Sequence, residues 1–170
     1  MLIIVSGLPG TGKSAIADRL GQAIGAPVLS VDPIESAMVR AGIESTFETG
    51  LAAYLIAETL ADHHLSAGLD VVIDAVMSVD DARDWWRALA LKHTVLLKVI
   101  VCLVSDERVH RQRLAARRRD LAFAETTWDA VAARAAEWTE WPEPHLKLDG
   151  MDPIDENLGT ALVYVRGPQP

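Results

Sequence analysis

The sequence predicts an α/β fold in which a parallel sheet is interleaved with helices. Two observations carry this reading. Short β-branched runs alternate along the chain with amphipathic stretches of helical period, and the residues suited to chemistry cluster just after those short runs. Open parallel sheets bind ligands there, beyond the carboxyl ends of their strands.

The elements follow in order. LIIVS, from Leu2 to Ser6, is a continuous apolar run ending at a glycine, as a strand buried on both faces should be. Lys13 to about Ile24 reads as a helix with Ile16, Ala17, Leu20 and Ile24 on one face. Pro27–Val31 is a second strand, and helices are expected over Pro33–Ala41 and Thr49–Ala67. Leu69–Ala75 (LDVVIDA) is a third strand, followed by a helix from Asp80 to Leu91. Thr94–Val104 is the longest strand, and an arginine-rich helix begins near Asp106. A helix over Thr127–Glu140 ends at WPEP. His145–Leu148 is then a fifth strand, and a last helix covers Pro153–Val165. Residues 1–166 are expected to form one domain, with 167–170 (GPQP) a fraying tail.

The composition is that of an ordinary globular protein, with half the residues hydrophobic and a quarter charged. A net charge of -8 argues against a nucleic-acid binder. The single cysteine, Cys102, lies in an apolar run, excludes an internal disulfide framework and fits a reducing cytoplasm. The N-terminal apolar run lacks a basic flank and is broken after six residues. No other apolar run approaches the length of a membrane span, so a soluble cytoplasmic protein is expected.

Between the first strand and first helix stands GLPGTGKS, from Gly7 through Leu8, Pro9, Gly10, Thr11, Gly12 and Lys13 to Ser14. It satisfies G-x-x-x-x-G-K-[ST]. Glycines let successive backbone N–H groups point inward as an anion nest at a helix N-terminus. Lys13 is placed to reach β- and γ-phosphates and the Ser14 hydroxyl to ligate Mg²⁺. The strand before it and the helix after it supply the context such a motif needs. Asp74 is followed by Ala75 rather than by a water-activating glutamate, and no N-K-x-D is present to read guanine. Transfer to an acceptor is therefore expected over hydrolysis or switching.

In this loop and the aspartates and arginines that follow it, the chain resembles the small P-loop kinases of the nucleoside-monophosphate-kinase-like superfamily. It is most similar to the branch often filed as AAA-family ATPases, which holds polynucleotide 5′-kinase domains, chloramphenicol phosphotransferase and zeta-toxin kinases. The resemblance implies a three-layer P-loop NTPase fold with a five-stranded parallel sheet of order 2-3-1-4-5 and an arginine-bearing lid. It also implies ATP and Mg²⁺ as cofactors. Asp32, in LSVDPIES, corresponds to the aspartate that accepts the proton of the attacking hydroxyl; the plainer alternative is an N-cap for a helix starting at Pro33. Asp74 corresponds to an aspartate serving Mg²⁺ or substrate, and Arg83 either to an arginine of the helix that follows or to a surface partner of Asp80.

The run RVHRQRLAARRRD is either a solvated basic face or the lid. Guanidinium groups match phosphate oxygens and stay charged, and relatives space their lid arginines four apart. Arg113 and Arg117 are accordingly the lid candidates, with Arg118 and Arg119 behind them. Trp85 and Trp86 read as packing, and His63 and His64 as structural. Trp128, Arg134, Trp138 and Trp141 either line an acceptor pocket or pack between helices.

The expected activity is transfer of the γ-phosphate of ATP to a hydroxyl of a small molecule. The alternatives are a polynucleotide 5′-hydroxyl kinase and a nucleotide-gated binding protein without transferase activity. Polynucleotide kinases carry an arginine three residues after the base to hold a phosphate, where this chain has Glu35. The sequence leaves the acceptor and the oligomeric state open.

Overall fold

The computed structural model describes residues 1–78 and 80–167, with no account of the side chains of 80 and 81. The 167–170 tail expected to fray lies outside the described residues from 168 onward. Five parallel strands form one sheet in the order β2-β3-β1-β4-β5. They are β1 (Leu2–Ser6), β2 (Val28–Ser30), β3 (Val71–Asp74), β4 (Leu97–Leu103) and β5 (His145–Asp149). The helices are α1 (Lys13–Ile24), α2 (Val31–Arg40), α3 (Phe47–Ser66), α4 (Asp80–Lys92), α5 (Glu107–Ala116), α6 (Trp128–Ala136) and α7 (Ile154–Arg166). The order 2-3-1-4-5 is the one the resemblance implies. Among the described residues no helix is long and apolar enough to cross a membrane.

Alternation along β1 divides the core. Ile3 and Val5 face a cluster with Ile16, Leu20, Ala161 and Val165 from α1 and α7. Leu2 and Ile4 face the other side, with Ala53, Ala57 and Ala61 of α3 and Trp86 and Leu89 of α4. Alanine at every fourth position lets α3 lie close against the sheet. Its N-terminus is fixed by a capping box in which the Thr46 and Thr49 side chains each bond the other's backbone N–H.

All the expected elements are present; β1 has the expected bounds, β5 extends one residue further, and β2, β3 and β4 are shorter. β4 starts at Leu97 rather than Thr94, because Thr94 has a positive φ of 53° in the turn that precedes it. α6 ends at Ala136, short of Glu140, and its N-cap is Thr127. One boundary changes a functional reading. α2 begins at Val31, so Asp32 lies inside its first turn and is not the cap. Ser30 holds the cap position, but its hydroxyl turns to Asp74.

Arg83 is neither a surface residue nor part of an open site. It is fully buried. Its Nε donates to the Met77 carbonyl oxygen at 3.1 Å, Nη1 to that of Glu140 at 3.1 Å and Nη2 to that of Thr139 at 2.7 Å. The guanidinium carbon lies 4.4 Å from the Trp141 ring centre and 5.6 Å from that of Trp138. Both tryptophans therefore pack against a cation, and Trp138 also lines a cavity of about 320 Å³ with Leu8, Thr11 and His110. Met77, buried and held at a positive φ of 49°, is the strained turn that Arg83 clamps three residues after Asp74. Arg83→Ala is expected to lower unfolding free energy by about 3 kcal/mol or more, since a fully buried side chain is removed from between two tryptophans and the buried Met77 carbonyl loses a charged donor. Urea denaturation measures it, and a loss within about 1 kcal/mol would contradict the clamp.

Candidate phosphoryl-transfer site

The loop between β1 and α1 is shaped by two glycines. Gly7 has a φ of 149°, and a Cβ there would collide with the Cys102 carbonyl oxygen of β4. Gly12 caps α1 from the left-handed region at φ 91°, leaving the first-turn N–H groups facing outward. The loop is also held from α5: buried His110 donates from Nε2 to the Pro9 carbonyl oxygen at 2.8 Å. His110 stands within the arginine run and was not singled out there; its pairing with Leu114 as the buried face of α5 is the sequence signal that could have found it.

A cleft of about 470 Å³ opens over this loop, bordered by Lys13 and Ser14 on one side and Arg113, Arg117 and Arg119 on the other. Lys13 and Asp74 are both buried, 4% and 5% exposed, with Nζ 3.7 Å from Asp74 Oδ1. Asp74 sits beside Val5 of β1 and Ser30 of β2 in the sheet. Its Oδ2 accepts from the Ser30 hydroxyl at 3.0 Å, while Oδ1 is buried without a hydrogen-bond donor. A buried carboxylate oxygen that accepts no hydrogen bond, next to the lysine of the phosphate loop, is chemistry that suits a hard divalent cation.

The arginines divide into distinct roles. Arg113 is exposed, donates from Nη1 to the Gly150 carbonyl oxygen at 2.8 Å, and also borders a neighbouring cavity of about 210 Å³ with Ile16, Leu148 and Asn157. Arg117 ends α5 and is half-buried at the cleft, its Nη1 without a hydrogen-bond partner. Burial and the nearby Arg119 pull its pKa down, yet guanidinium stays charged at neutral pH. Arg118 folds back to the Ala115 and Arg117 carbonyls. Arg119 pairs through Nη1 with Asp32 Oδ2. The structure thus brings Lys13, Ser14, Asp32, Asp74, Arg117 and Arg119 to one end of the sheet. It leaves His63 and His64 on α3, away from any grouping of metal-type ligands among the described residues. Trp128 packs edge-on against His110, with ring centres 5.2 Å apart, and carries Arg111 on its ring.

Residues 2–140 match the AAA domain family. The chain belongs to that family. Its relatives include an uncharacterised protein of Mycobacterium tuberculosis H37Rv, 27% identical over 172 residues that cover 94% of this chain and 34% of that protein. A UPF0200 protein of Aeropyrum pernix is 28% identical over 151 residues, covering 80% of this chain and 73% of its own. The chain thus spans about a third of the length of the mycobacterial relatives it matches. Among solved structures, a proposed kinase from Chloroflexus aurantiacus superposes with a TM-score of 0.78 at 20% identity, covering 96% of this chain and 97% of that one. A gluconokinase from Sinorhizobium meliloti gives 0.71 at 17%, covering 97% and 90%. The APS kinase of Mycobacterium tuberculosis, solved with AMPPNP and APS, gives 0.72 at 17%, covering 98% and 97%. This member of the AAA domain family therefore has the fold of the small P-loop kinases.

Asp32 gives the pH signature of the site. Burial works to raise its pKa, but Lys13, the bond to Arg119 and the charge of Arg117 outweigh burial and hold it below the usual carboxylate value. A carboxylate lowered in this way contributes stability that is complete above its unfolded value near ~4 and is lost as pH falls through the folded one. Asp32→Asn is expected to be less stable than the parent by about 1 kcal/mol near neutral pH, with the gap narrowing below about pH 4. Urea denaturation across pH tests this. A gap of constant size would show that the pair does not carry the effect.

Proposed function

We propose that the protein is an ATP-dependent phosphotransferase that moves the γ-phosphoryl group to a hydroxyl of a small molecule. The observation that carries this reading is one cleft lined by the phosphate-binding loop, Arg117 and Arg119, whose Lys13 pairs with the buried Asp74 and whose Arg119 pairs with Asp32. The gluconokinase and the APS kinase with the same fold support it.

In this reading the loop N–H groups and Lys13 bind the β- and γ-phosphates, and Arg117 meets the charge that spreads over the γ-phosphoryl oxygens during transfer. Ser14 and Asp74 would hold Mg²⁺, which when bound neutralises charge on the β- and γ-oxygens. Arg113, between the phosphate cleft and the cavity beside Leu148, serves the base end of the nucleotide rather than the reacting phosphate. Asp32, at the N-terminus of α2, orients the acceptor hydroxyl and takes its proton as the new P–O bond forms.

Glu35 stands one turn from Asp32 on the same side of α2 and accepts from the Ser45 hydroxyl at 3.3 Å. A carboxylate there repels a phosphate, which favours a small uncharged or amino-bearing acceptor over a polynucleotide.

A screen of nucleosides, sugars, aminoglycosides and other hydroxyl compounds with Mg·ATP, read by mass spectrometry, tests the reading. One or more products heavier by a phosphoryl group are expected, and Lys13→Ala is expected to reduce their formation by about 10²-fold or more. Bound nucleotide with no acceptor-dependent product would favour the binding-protein alternative. A 5′-hydroxyl oligonucleotide is expected to be a poor acceptor beside the best small molecule; the reverse preference would promote the polynucleotide kinase.

A further inference from the structure

The carboxylate that an acceptor hydroxyl needs is already taken. Asp32 Oδ2 accepts from Arg119 Nη1. Arg119 is steadied from behind by Glu125, whose Oε1 accepts from the Arg119 backbone N–H at 2.8 Å and whose Oε2 lies 3.5 Å from Arg119 Nε. A second tie is independent of charge: the Ala122 backbone N–H donates to the buried Ser36 hydroxyl oxygen at 2.9 Å. Asp32 and Ser36 are one turn apart on α2. The irregular segment between α5 and α6 is therefore fastened to the acceptor-side helix at two points, one of them the reactive carboxylate. The same arginine borders the phosphate cleft with Lys13 and Arg117.

We propose that Arg119 is a positioning residue that occupies Asp32 until an acceptor displaces it, so that bound ATP is not transferred to water. The inference rests on the phosphotransferase reading and concerns the control of that same site. In hydrolysis the oxygen of water bonds to the γ-phosphorus while the bond from that phosphorus to the bridging oxygen breaks. ADP leaves with the bridging oxygen, inorganic phosphate is released, and the proton lost by water passes to Asp32. A water molecule brings one weak contact against a charge-assisted bond that Glu125 supports. A true acceptor brings further contacts along α2, enough to replace the guanidinium.

The experiment measures ADP release from Mg·ATP by the full chain with no added acceptor, in the parent, Arg119→Gln, Arg119→Gln with Asp32→Asn, and Ser36→Ala. Arg119→Gln is expected to raise acceptor-independent ADP release by about tenfold or more, since water gains a general base. The double variant is expected to return it to the parent rate, and Ser36→Ala to give a smaller rise by loosening the segment. A folded Arg119→Gln that releases ADP no faster than the parent overturns the proposal. So does a double variant that keeps the rise, because the effect then does not run through Asp32. Should Arg119→Gln melt too early to assay, Ser36→Ala decides, and an unchanged rate there is equally fatal. Calorimetry of Mg·ATP on the parent separates the two levels. Binding without the expected rise defeats the positioning role alone, whereas no binding defeats the phosphotransferase reading and the inference with it.

Discussion

The functional end of the molecule depends on one buried ion pair, Lys13 with Asp74. Two charges removed from water gain little net stability from each other, because desolvation offsets most of their attraction. What the pair supplies is placement. Lys13 is the first residue of α1 and Asp74 the last of β3, so the contact ties the helix that opens the phosphate loop to the strand beside it. Ser30 leaves the capping of α2 to hold the other oxygen of Asp74, which brings β2 and the start of α2 into the same assembly. Asp32 then stands two residues beyond Ser30, next to the charges of Lys13 and Arg117.

A second layer of fixed charges supports the first. Arg83 clamps the strained turn after Asp74 to the chain that follows α6, and its burial between two tryptophans makes that turn part of the core. His110 does the same for the phosphate loop from the other side of the cleft. The loop, the strand end and the helix start are each held by a polar contact to an element distant in sequence. Such pre-organisation is what the proposed phosphoryl transfer would require, because donors fixed in advance need no reorganisation when charge develops. The arginine segment differs. It is tied to α2 by the Arg119–Asp32 pair and the Ala122–Ser36 bond, and it holds Arg117, with one guanidinium nitrogen lacking a hydrogen-bond partner, at the cleft.

The sheet and the phosphate loop were legible in the sequence because both are written in local signals. LIIVS and LDVVIDA are buried strands by composition, and G-x-x-x-x-G-K-S has a single structural solution when a strand precedes it and a helix follows. The limits of the elements were less legible. Val31 is β-branched and reads as strand, yet it opens α2, which moved Asp32 from the cap into the helix. The roles of Arg83, Arg119 and Glu125 were not legible as they stand, since each depends on a partner far away in the chain. Arg83 reaches Glu140, and Arg119 reaches Asp32. The six arginines of RVHRQRLAARRRD read as either a solvated face or a lid, and spacing alone does not say which guanidinium turns to Gly150, to the cleft or to Asp32.

In the proposed function the buried Asp74 carboxylate, whose Oδ1 pairs with Lys13 but accepts no hydrogen bond, belongs to a Mg²⁺-dependent triphosphate site. Calorimetric titration of ATP with and without Mg²⁺, on the parent and on Asp74→Asn, tests it most directly. The account predicts that Mg²⁺ tightens ATP binding to the parent, and that Asp74→Asn loses most of this gain while binding metal-free ATP at least as well, since a negative charge near the phosphates has gone. The same Mg²⁺ dependence in both proteins, or a parent that does not bind ATP, would contradict it.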